Sequence, residues 1–155
     1  MEGPLHGSRP RSQEMLERER DTIVFGKSGI HGWGLMARRA IPQDTFITEY
    51  RGDVVRRPVA DVRERGYRAR GKDCYLFALG DAVIDATDRG HIARFANHAC
   101  TPCMYAKTVE VDGREHLVFI SRSDIRMGQE LTFNYRFQAR GAREGGCACY
   151  AGARS

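Results

Sequence analysis

The five cysteines are the residues with the most distinctive chemistry in this chain, and two of them form a C-x-x-C pair in the stretch RFANHACTPCMY (residues 94–105). The pair consists of Cys100 and Cys103, and Asn97 and His98 come just before it. Such a pair could be half of a zinc site, a redox couple or a spacing with no chemical meaning. An odd number of unevenly spread cysteines argues against a disulfide framework and favours a reducing compartment with a metal or free thiols.

A second pair, Cys147 and Cys149, lies in the Gly- and Ala-rich tail QARGAREGGCACYAGARS. We expect no strand or packed helix from this composition alone, so an external group such as a metal ion would have to give the tail order. A closed tetrahedral zinc site needs four ligands, and a C-x-C pair supplies only two of them. The pair could therefore belong to a metal site or have no ligand role.

The segment GIHGWG (29–34) and the Asn-His pair suit ligand binding for different reasons. Glycines around His31 and Trp33 would let a ligand approach the backbone closely, although an ordinary β-turn has the same composition. Asn97 and His98 could hold a polar ligand, or could be a helix cap and a core histidine.

The segment ELTFNY (130–135) has the alternation of a β-strand. It places Leu131, Phe133 and Tyr135 on one face, a pattern typical of a plain core stripe. A tyrosine at the end of such a stripe also needs a hydrogen-bond partner for its hydroxyl.

Short strands separated by Gly, Pro and Asp would position these residues, and they predict a mostly β fold with short helices. The polar, Arg-rich interval 57–71 predicts a helix that begins at Pro58 and ends at Gly71. Hairpins are predicted at Gly80-Asp81 and Asp112-Gly113, and a short helical turn at RGHIARFANH. Residues 1–20 are a polar lead-in, with a short exposed helix predicted at SQEMLERER.

The composition fits one domain of 155 residues with 41% hydrophobic residues, enough for a core. No apolar run approaches the roughly 20 residues of a membrane span, and the N-terminus lacks the apolar region of a signal peptide. We therefore expect no membrane partner. The net charge is a modest +5 without a Lys/Arg block, so we expect no direct nucleic-acid partner either.

Seven segments taken in order resemble the successive motifs of SET-domain protein lysine methyltransferases: GKSGIHGWGL, ITEYRG, DCYLF, VIDAT, IARFANHAC, DIRMGQELTFNY and CAC. Within this family, the segments most resemble those of the trithorax/MLL subgroup, and in particular its plant trithorax-like members. It implies a SET domain over 21–138 with the helical insert at 57–71, and an incomplete post-SET-like tail over 139–155. The implied fold has small twisted sheets around a knot-like crossing, where NHAC packs against ELTFNY.

The resemblance also implies S-adenosyl-L-methionine as methyl donor, with the donor and the substrate lysine entering from opposite faces. Tyr135 matches the essential tyrosine and Tyr50 a tyrosine that lines the lysine channel. Phe133 stands where trithorax relatives usually have tyrosine, and phenylalanine there implies di- or trimethylation. The positions that match cofactor-binding residues are His31, Trp33, Cys74, Tyr75, Asn97 and His98.

A zinc site is implied by the same resemblance, with Cys100, Cys147 and Cys149 as ligands. The family's fourth cysteine position is occupied here by Arg154, which cannot bind zinc. Cys103 or a water could be the fourth ligand, or the site could be empty.

The implied function is histone lysine N-methylation on the histone H3 tail, most readily at lysine 4, in the nucleus and with adaptor proteins that hold the insert. A catalytically weakened SET module with a binding or scaffolding role is the main alternative. A methyltransferase for a non-histone protein is another, and a basic nucleic-acid-binding domain is the most distant.

Overall fold

The computed structural model describes residues 13–135. Cys147, Cys149, Arg154 and the tail predicted over 139–155 lie outside the described residues, as does most of the lead-in.

Ten short strands, two α-helices and one 3₁₀ helix make up this part of the chain, which confirms a mostly β fold with a helical insert. None of these helices is both long and apolar enough to cross a membrane. The elements are α1 (Gln13–Thr22), β1 (Ile23–Lys27), β2 (Trp33–Ala37), β3 (Phe46–Glu49), β4 (Gly52–Arg56), α2 (Arg57–Ala69), β5 (Leu76–Leu79), β6 (Ala82–Gly90), the 3₁₀ helix (Ile92–Phe95), β7 (Asn97–His98), β8 (Met104–Val111), β9 (Arg114–Ser121) and β10 (Glu130–Phe133).

The strands form three small sheets in the orders β1-β2-β10-β7, β3-β9-β8 and β4-β6-β5. In the first sheet, β10 pairs antiparallel with β2 and parallel with the two-residue β7. The NHAC segment therefore lies directly beside ELTFNY, as the resemblance implied. The sheets share one core, whose fully buried side chains include Leu35, Phe119 and Leu131.

The hairpin predicted at Asp112-Gly113 joins β8 to β9 in continuous antiparallel register. Both turn residues have positive φ, 52° for Asp112 and 74° for Gly113. This is the two-residue turn whose twist matches that of the flanking strands, and glycine adopts its second position without strain.

The predicted insert is helix α2, with Pro58 in its first turn and Gly71 just beyond its end at φ 65°. Its inner face buries Tyr67, whose hydroxyl donates to Asp85 Oδ2 on β6 at 2.7 Å. Arg63 Nη1 donates to the same oxygen at 3.0 Å, and the Thr87 backbone N–H donates to Oδ1. A buried carboxylate therefore anchors the insert to the third sheet.

Helix α1 differs from the exposed helix that the sequence predicted. Glu19 is only 8% exposed, and its Oε1 accepts a 2.5 Å hydrogen bond from Thr48 Oγ1. Arg51 donates to Glu19 Oε2 at 2.9 Å. The local sequence indicates only a polar helix, but the partly buried ion pair between Glu19 and Arg51, which follows β3, docks one face of the helix.

Candidate active site

The glycine-rich loop between β1 and β2 is shaped by one hydroxyl. Ser28 Oγ accepts hydrogen bonds from the backbone N–H groups of Ile30, at 2.8 Å, and His31, at 3.1 Å. The Ser28 backbone N–H donates to the Gly32 carbonyl, which closes a tight turn. Gly32 has φ 48°, a left-handed conformation that favours glycine. The GIHGWG segment is therefore a turn, and it lies beside Asn97.

The side-chain amide of Asn97 faces this loop. Its Nδ2 lies 2.9 Å from the Trp33 carbonyl, 3.3 Å from the His31 carbonyl and 2.9 Å from Glu130 Oε1. The two predicted positions His31 and Trp33 thus meet Asn97 through their backbone carbonyls, while both side chains are exposed.

Parallel pairing of β7 with β10 brings His98 and Tyr135 together. The Tyr135 backbone N–H donates to His98 Nδ1 at 3.0 Å, and the two rings lie 5.2 Å apart. This hydrogen bond requires Nδ1 to be unprotonated, so a neutral His98 carries its proton on Nε2.

Tyr135 lies beyond the end of β10, which corrects the prediction that it continues the buried stripe of Leu131 and Phe133. The residue is 42% exposed, whereas Phe133 is 3% exposed. The Tyr135 hydroxyl donates to the Ala96 carbonyl at 2.8 Å, the partner that a phenol in this place needs. Desolvation, with a smaller contribution from Tyr75, raises the pKa of Tyr135 to about 12, so the hydroxyl keeps its proton at neutral pH.

A row of aromatic rings leads inward from Tyr135, and we call it the inner row. Phe133 lies 4.7 Å from the Tyr135 ring and stacks on Phe77 at 5.5 Å. Tyr50 follows, 5.0 Å from Phe77. Burial, chiefly, and the nearby Tyr135 hydroxyl raise the pKa of Tyr50. The three residues predicted as catalytic, Tyr50, Phe133 and Tyr135, therefore belong to one aromatic wall.

A second row of rings, the outer row, connects two of the predicted cofactor positions. It runs from Trp33 to Phe25 at 5.6 Å, to Phe95 at 5.7 Å and to Tyr75 at 6.0 Å. The Arg94 guanidinium lies over the rings of Tyr75 and Phe95 and donates to two carbonyls, those of Ala86 and Thr87. Arg94 Nε is buried and has no partner among the described residues.

The three cysteines in residues 13–135 have different surroundings. Cys74 is half-buried beside Tyr75, and burial, with a smaller effect from Glu64, raises the pKa of its thiol. Cys100 is exposed, with its Sγ 3.7 Å from His98 Nε2. Cys103 is buried, and its Sγ accepts from the Thr132 backbone N–H at 3.4 Å. No group of three or more potential metal ligands occurs within this part of the chain.

Comparison with known proteins agrees with this geometry. Residues 32–136 match the SET domain family, which is about two thirds of the chain. The chain belongs to the SET-domain family. This SET domain is 42% identical over 139 residues to the "Histone-lysine N-methyltransferase, H3 lysine-4 specific" of Mycosarcoma maydis, covering 88% of this chain. It is 44% identical over 124 residues, 79% of this chain, to the "Histone-lysine N-methyltransferase set-2" of Caenorhabditis elegans. It spans only 10% and 8% of the length of these two relatives.

Solved structures show the same fold for this SET domain. A chain in the humanized mutant of the Chaetomium thermophilum Polycomb Repressive Complex 2 bound to the inhibitor GSK126 superposes with a TM-score of 0.69 at 30% identity. The match covers 77% of this chain and 15% of that one. A chain of apo ctPRC2 in an autoinhibited state gives a TM-score of 0.70 at 31% identity, with 77% and 16% coverage.

Several residues of the site were missed by sequence reasoning: Ser28, Glu130, Arg94, Phe25 and Phe95. In the sequence the two phenylalanines have the pattern of ordinary strand or turn residues, because nothing local indicates that their rings will pack together in the outer row. Ser28 and Glu130 lie about a hundred positions apart and meet only in the folded protein. A signal did exist at Ser28, because a serine next to a glycine-rich segment often bonds the backbone two or three residues on.

Proposed function

We propose that this SET domain is an S-adenosyl-L-methionine-dependent protein-lysine N-methyltransferase that acts on the histone H3 tail, with lysine 4 as the target. The observation that carries the proposal is the meeting of Tyr135, Phe133 and Tyr50 in one aromatic wall beside the Asn97–His98 segment. The similarity to proteins named as H3 lysine-4 specific methyltransferases supports the substrate.

The outer row has the chemistry that S-adenosyl-L-methionine needs. An adenine ring stacks on aromatic faces, and a carboxylate pairs with a guanidinium. Trp33 and Tyr75 offer the first. The Arg94 guanidinium, which lies over the Tyr75 and Phe95 rings, offers the second. Gly29 and Gly32 have no neighbouring atom within 4 Å of the position that a Cβ would take, so the loop leaves open space for a ligand. His31, Cys74, Asn97 and His98 complete the proposed cofactor side.

When bound, S-adenosyl-L-methionine supplies the methyl group from a sulfonium centre. Tyr135 has a defined role beside that centre because its single hydroxyl proton is committed to the Ala96 carbonyl. Toward an incoming amine or a methyl group, the oxygen can act only as an acceptor. With its pKa raised to about 12, Tyr135 orients the reacting groups as a neutral phenol and does not remove the proton.

The substrate lysine must be a neutral amine when it attacks. At pH 7, deprotonating an amine with a pKa of about 10.4 costs roughly 4.6 kcal/mol. The buried aromatic walls of Tyr50 and Phe133 lower this cost, because an apolar environment disfavours the charged ammonium form. Holding the amine and the donor in line supplies much of the remaining rate enhancement.

Phe133 supports di- or trimethylation. Its ring is packed between Phe77, Phe119 and Tyr135 and carries no hydroxyl that could hold a water against the amine. A site without that water has room for the bulkier methylated amines, and the aromatic rings hold the cationic methyllysine product after each transfer.

The same proposal includes a nuclear location, adaptor proteins that contact α2, and a zinc ion held by Cys100, Cys147 and Cys149. Cys100 suits this role because its thiol is exposed and faces a histidine N–H. Cys103 does not suit the role of fourth ligand, because its sulfur is buried and hydrogen-bonded to β10. Arg154 cannot bind a metal, so we propose a water as the fourth ligand.

The test is mass spectrometry of a histone H3 tail peptide incubated with the protein and S-adenosyl-L-methionine, with and without added zinc. We expect di- or trimethyl product at lysine 4 that disappears in Tyr135→Phe. Tyr105→Phe is the matched control, because Tyr105 is a surface tyrosine on β8 and its removal should leave the product unchanged. Product at another lysine, or on another protein only, would refute the H3 assignment. Intact cofactor binding with no transfer under any condition would favour a binding or scaffolding module.

A further inference from the structure

We infer that Ser28 and Glu130 are positioning residues for the methyl donor, because together they set the shape of the loop over residues 28–33. The inference rests on the proposed function, since it concerns the donor side of that site. Neither residue touches the reacting atoms; both act through the backbone of the loop and through Asn97.

Apart from the contact of the Trp33 ring with Phe25, the loop has little packing of its own. Ile30 is 46% exposed and Trp33 is 54% exposed. A Cβ at Gly29 or Gly32 would have no neighbour within 4 Å. Apolar contacts therefore contribute little to its shape, and its conformation depends on the hydrogen bonds that converge on it.

Those hydrogen bonds meet at the Ser28 hydroxyl. Its oxygen accepts from the backbone N–H groups of Ile30 and His31, and its proton is donated to Glu130 Oε1 at 2.6 Å. Because Oε1 can only accept, the carboxylate fixes the rotor of the hydroxyl so that its lone pairs face the loop and Asn97 Nδ2, which lies 3.1 Å away. Removal of Ser28 Oγ would free two loop N–H groups at once.

Glu130 joins the loop to the rest of the site. Oε1 also lies 2.9 Å from Asn97 Nδ2, which in turn bonds the His31 and Trp33 carbonyls. Glu130 pairs with Met36 of β2, so its carboxylate comes from an inner strand of the first sheet. A Cβ at Gly34 would lie 2.4 Å from Oε1, so only glycine leaves room for the carboxylate here. The loop, β7 and β10 are thus fixed to one oxygen.

The test measures binding of S-adenosyl-L-homocysteine to the purified protein by isothermal titration calorimetry. The variants are Ser28→Ala and Ser28→Thr, because threonine keeps the hydroxyl. We expect Ser28→Ala to bind about tenfold more weakly, since freed backbone donors let the loop leave its bound shape. Ser28→Thr should bind within about twofold of the unaltered protein, and Glu130→Ala should reproduce the Ser28→Ala loss.

Ser121→Ala is the control for a general loss of stability, which would lower the melting temperature without weakening ligand binding. Ser121 is fully buried and donates to the Pro42 carbonyl at 2.6 Å, in the second sheet. We expect this variant to lower the melting temperature and to leave the dissociation constant unchanged. With the H3 peptide, Ser28→Ala should raise the KM for S-adenosyl-L-methionine and leave the peptide KM within about twofold.

Two outcomes overturn the inference, and they distinguish its failure from that of the proposed function. If the unaltered protein binds the nucleoside and Ser28→Ala binds it equally well, the positioning role is wrong and the methyltransferase proposal stands. If the unaltered protein binds neither nucleoside nor donor, the proposed function fails and the inference fails with it.

Discussion

Replacing Tyr67 by phenylalanine removes one hydroxyl from the anchor between the insert and the third sheet. Tyr67 is 3% exposed, and its hydroxyl donates at 2.7 Å to Asp85, which is 2% exposed. A hydrogen bond to a charged group contributes about 1.5–3 kcal/mol, and phenylalanine leaves no other donor in its place. We therefore expect Tyr67→Phe to lower the free energy of unfolding by about 2 kcal/mol at neutral pH.

The pH dependence of this loss follows from Asp85. Burial alone would raise the pKa of Asp85, but the hydrogen bonds from Tyr67, Thr87 and Arg63 outweigh it and lower the pKa. A lowered folded-state pKa stabilises the fold above the ordinary aspartate pKa of about 3.9, and this contribution is lost as pH falls through the folded value. The difference between Tyr67→Phe and the unaltered protein should be full near pH 7 and shrink below about pH 4.

The assay is thermal unfolding followed by circular dichroism at pH 7 and at acidic pH. For a chain of this length, 2 kcal/mol corresponds to a fall in Tm of about 6 °C. Tyr105→Phe is the control, because Tyr105 is exposed on β8 and makes no hydrogen bond with Asp85. Equal Tm values for the two variants, or a Tyr67→Phe loss that is the same at both pH values, would refute the reasoning.

Two further predictions concern the number of methyl groups added to the lysine and the binding of zinc. Phe133→Tyr adds a hydroxyl to the inner row and should shift the product on the H3 peptide from di- and trimethyl to monomethyl; an unchanged product distribution in the mass spectrum would contradict this. Cys100→Ser should lower the zinc content of the full chain, measured by atomic emission, whereas Cys103→Ser should keep the zinc and lower the Tm, because the Cys103 sulfur accepts from the Thr132 N–H. Equal zinc loss in both variants would show that Cys103 is a ligand after all.

Local sequence signals predicted those parts of the fold that local physics determines. The turn at Asp112-Gly113 needs two residues that tolerate positive φ, and the sequence supplies both. The insert needs a proline in its first turn and a glycine beyond its end, and Pro58 and Gly71 supply these. The resemblance to SET-domain methyltransferases then implied that NHAC would pack against ELTFNY.

Side-chain contacts between distant segments could not be predicted in the same way. Glu19 reads as one charge among many in a polar helix, yet it is buried against Thr48 and Arg51. Tyr135 fits the alternation of a buried strand, yet the strand ends at Phe133 and the tyrosine is half-exposed. These outcomes depend on how three sheets pack, which no single segment encodes.

The pairings that build the site join opposite ends of the chain, and this has a consequence for how the protein is made. Leu35 pairs with Leu131, and Ser28 reaches Glu130, across nearly a hundred residues. The β5–β6 and β8–β9 hairpins are local and can form as soon as their own residues are available. Pairings between distant segments close slowly, because loop-closure entropy must be overcome first. During synthesis the site can therefore assemble only after β10 has left the ribosome, and a product that stopped at the β8–β9 hairpin would lack the pairing of β10 with β2 and β7.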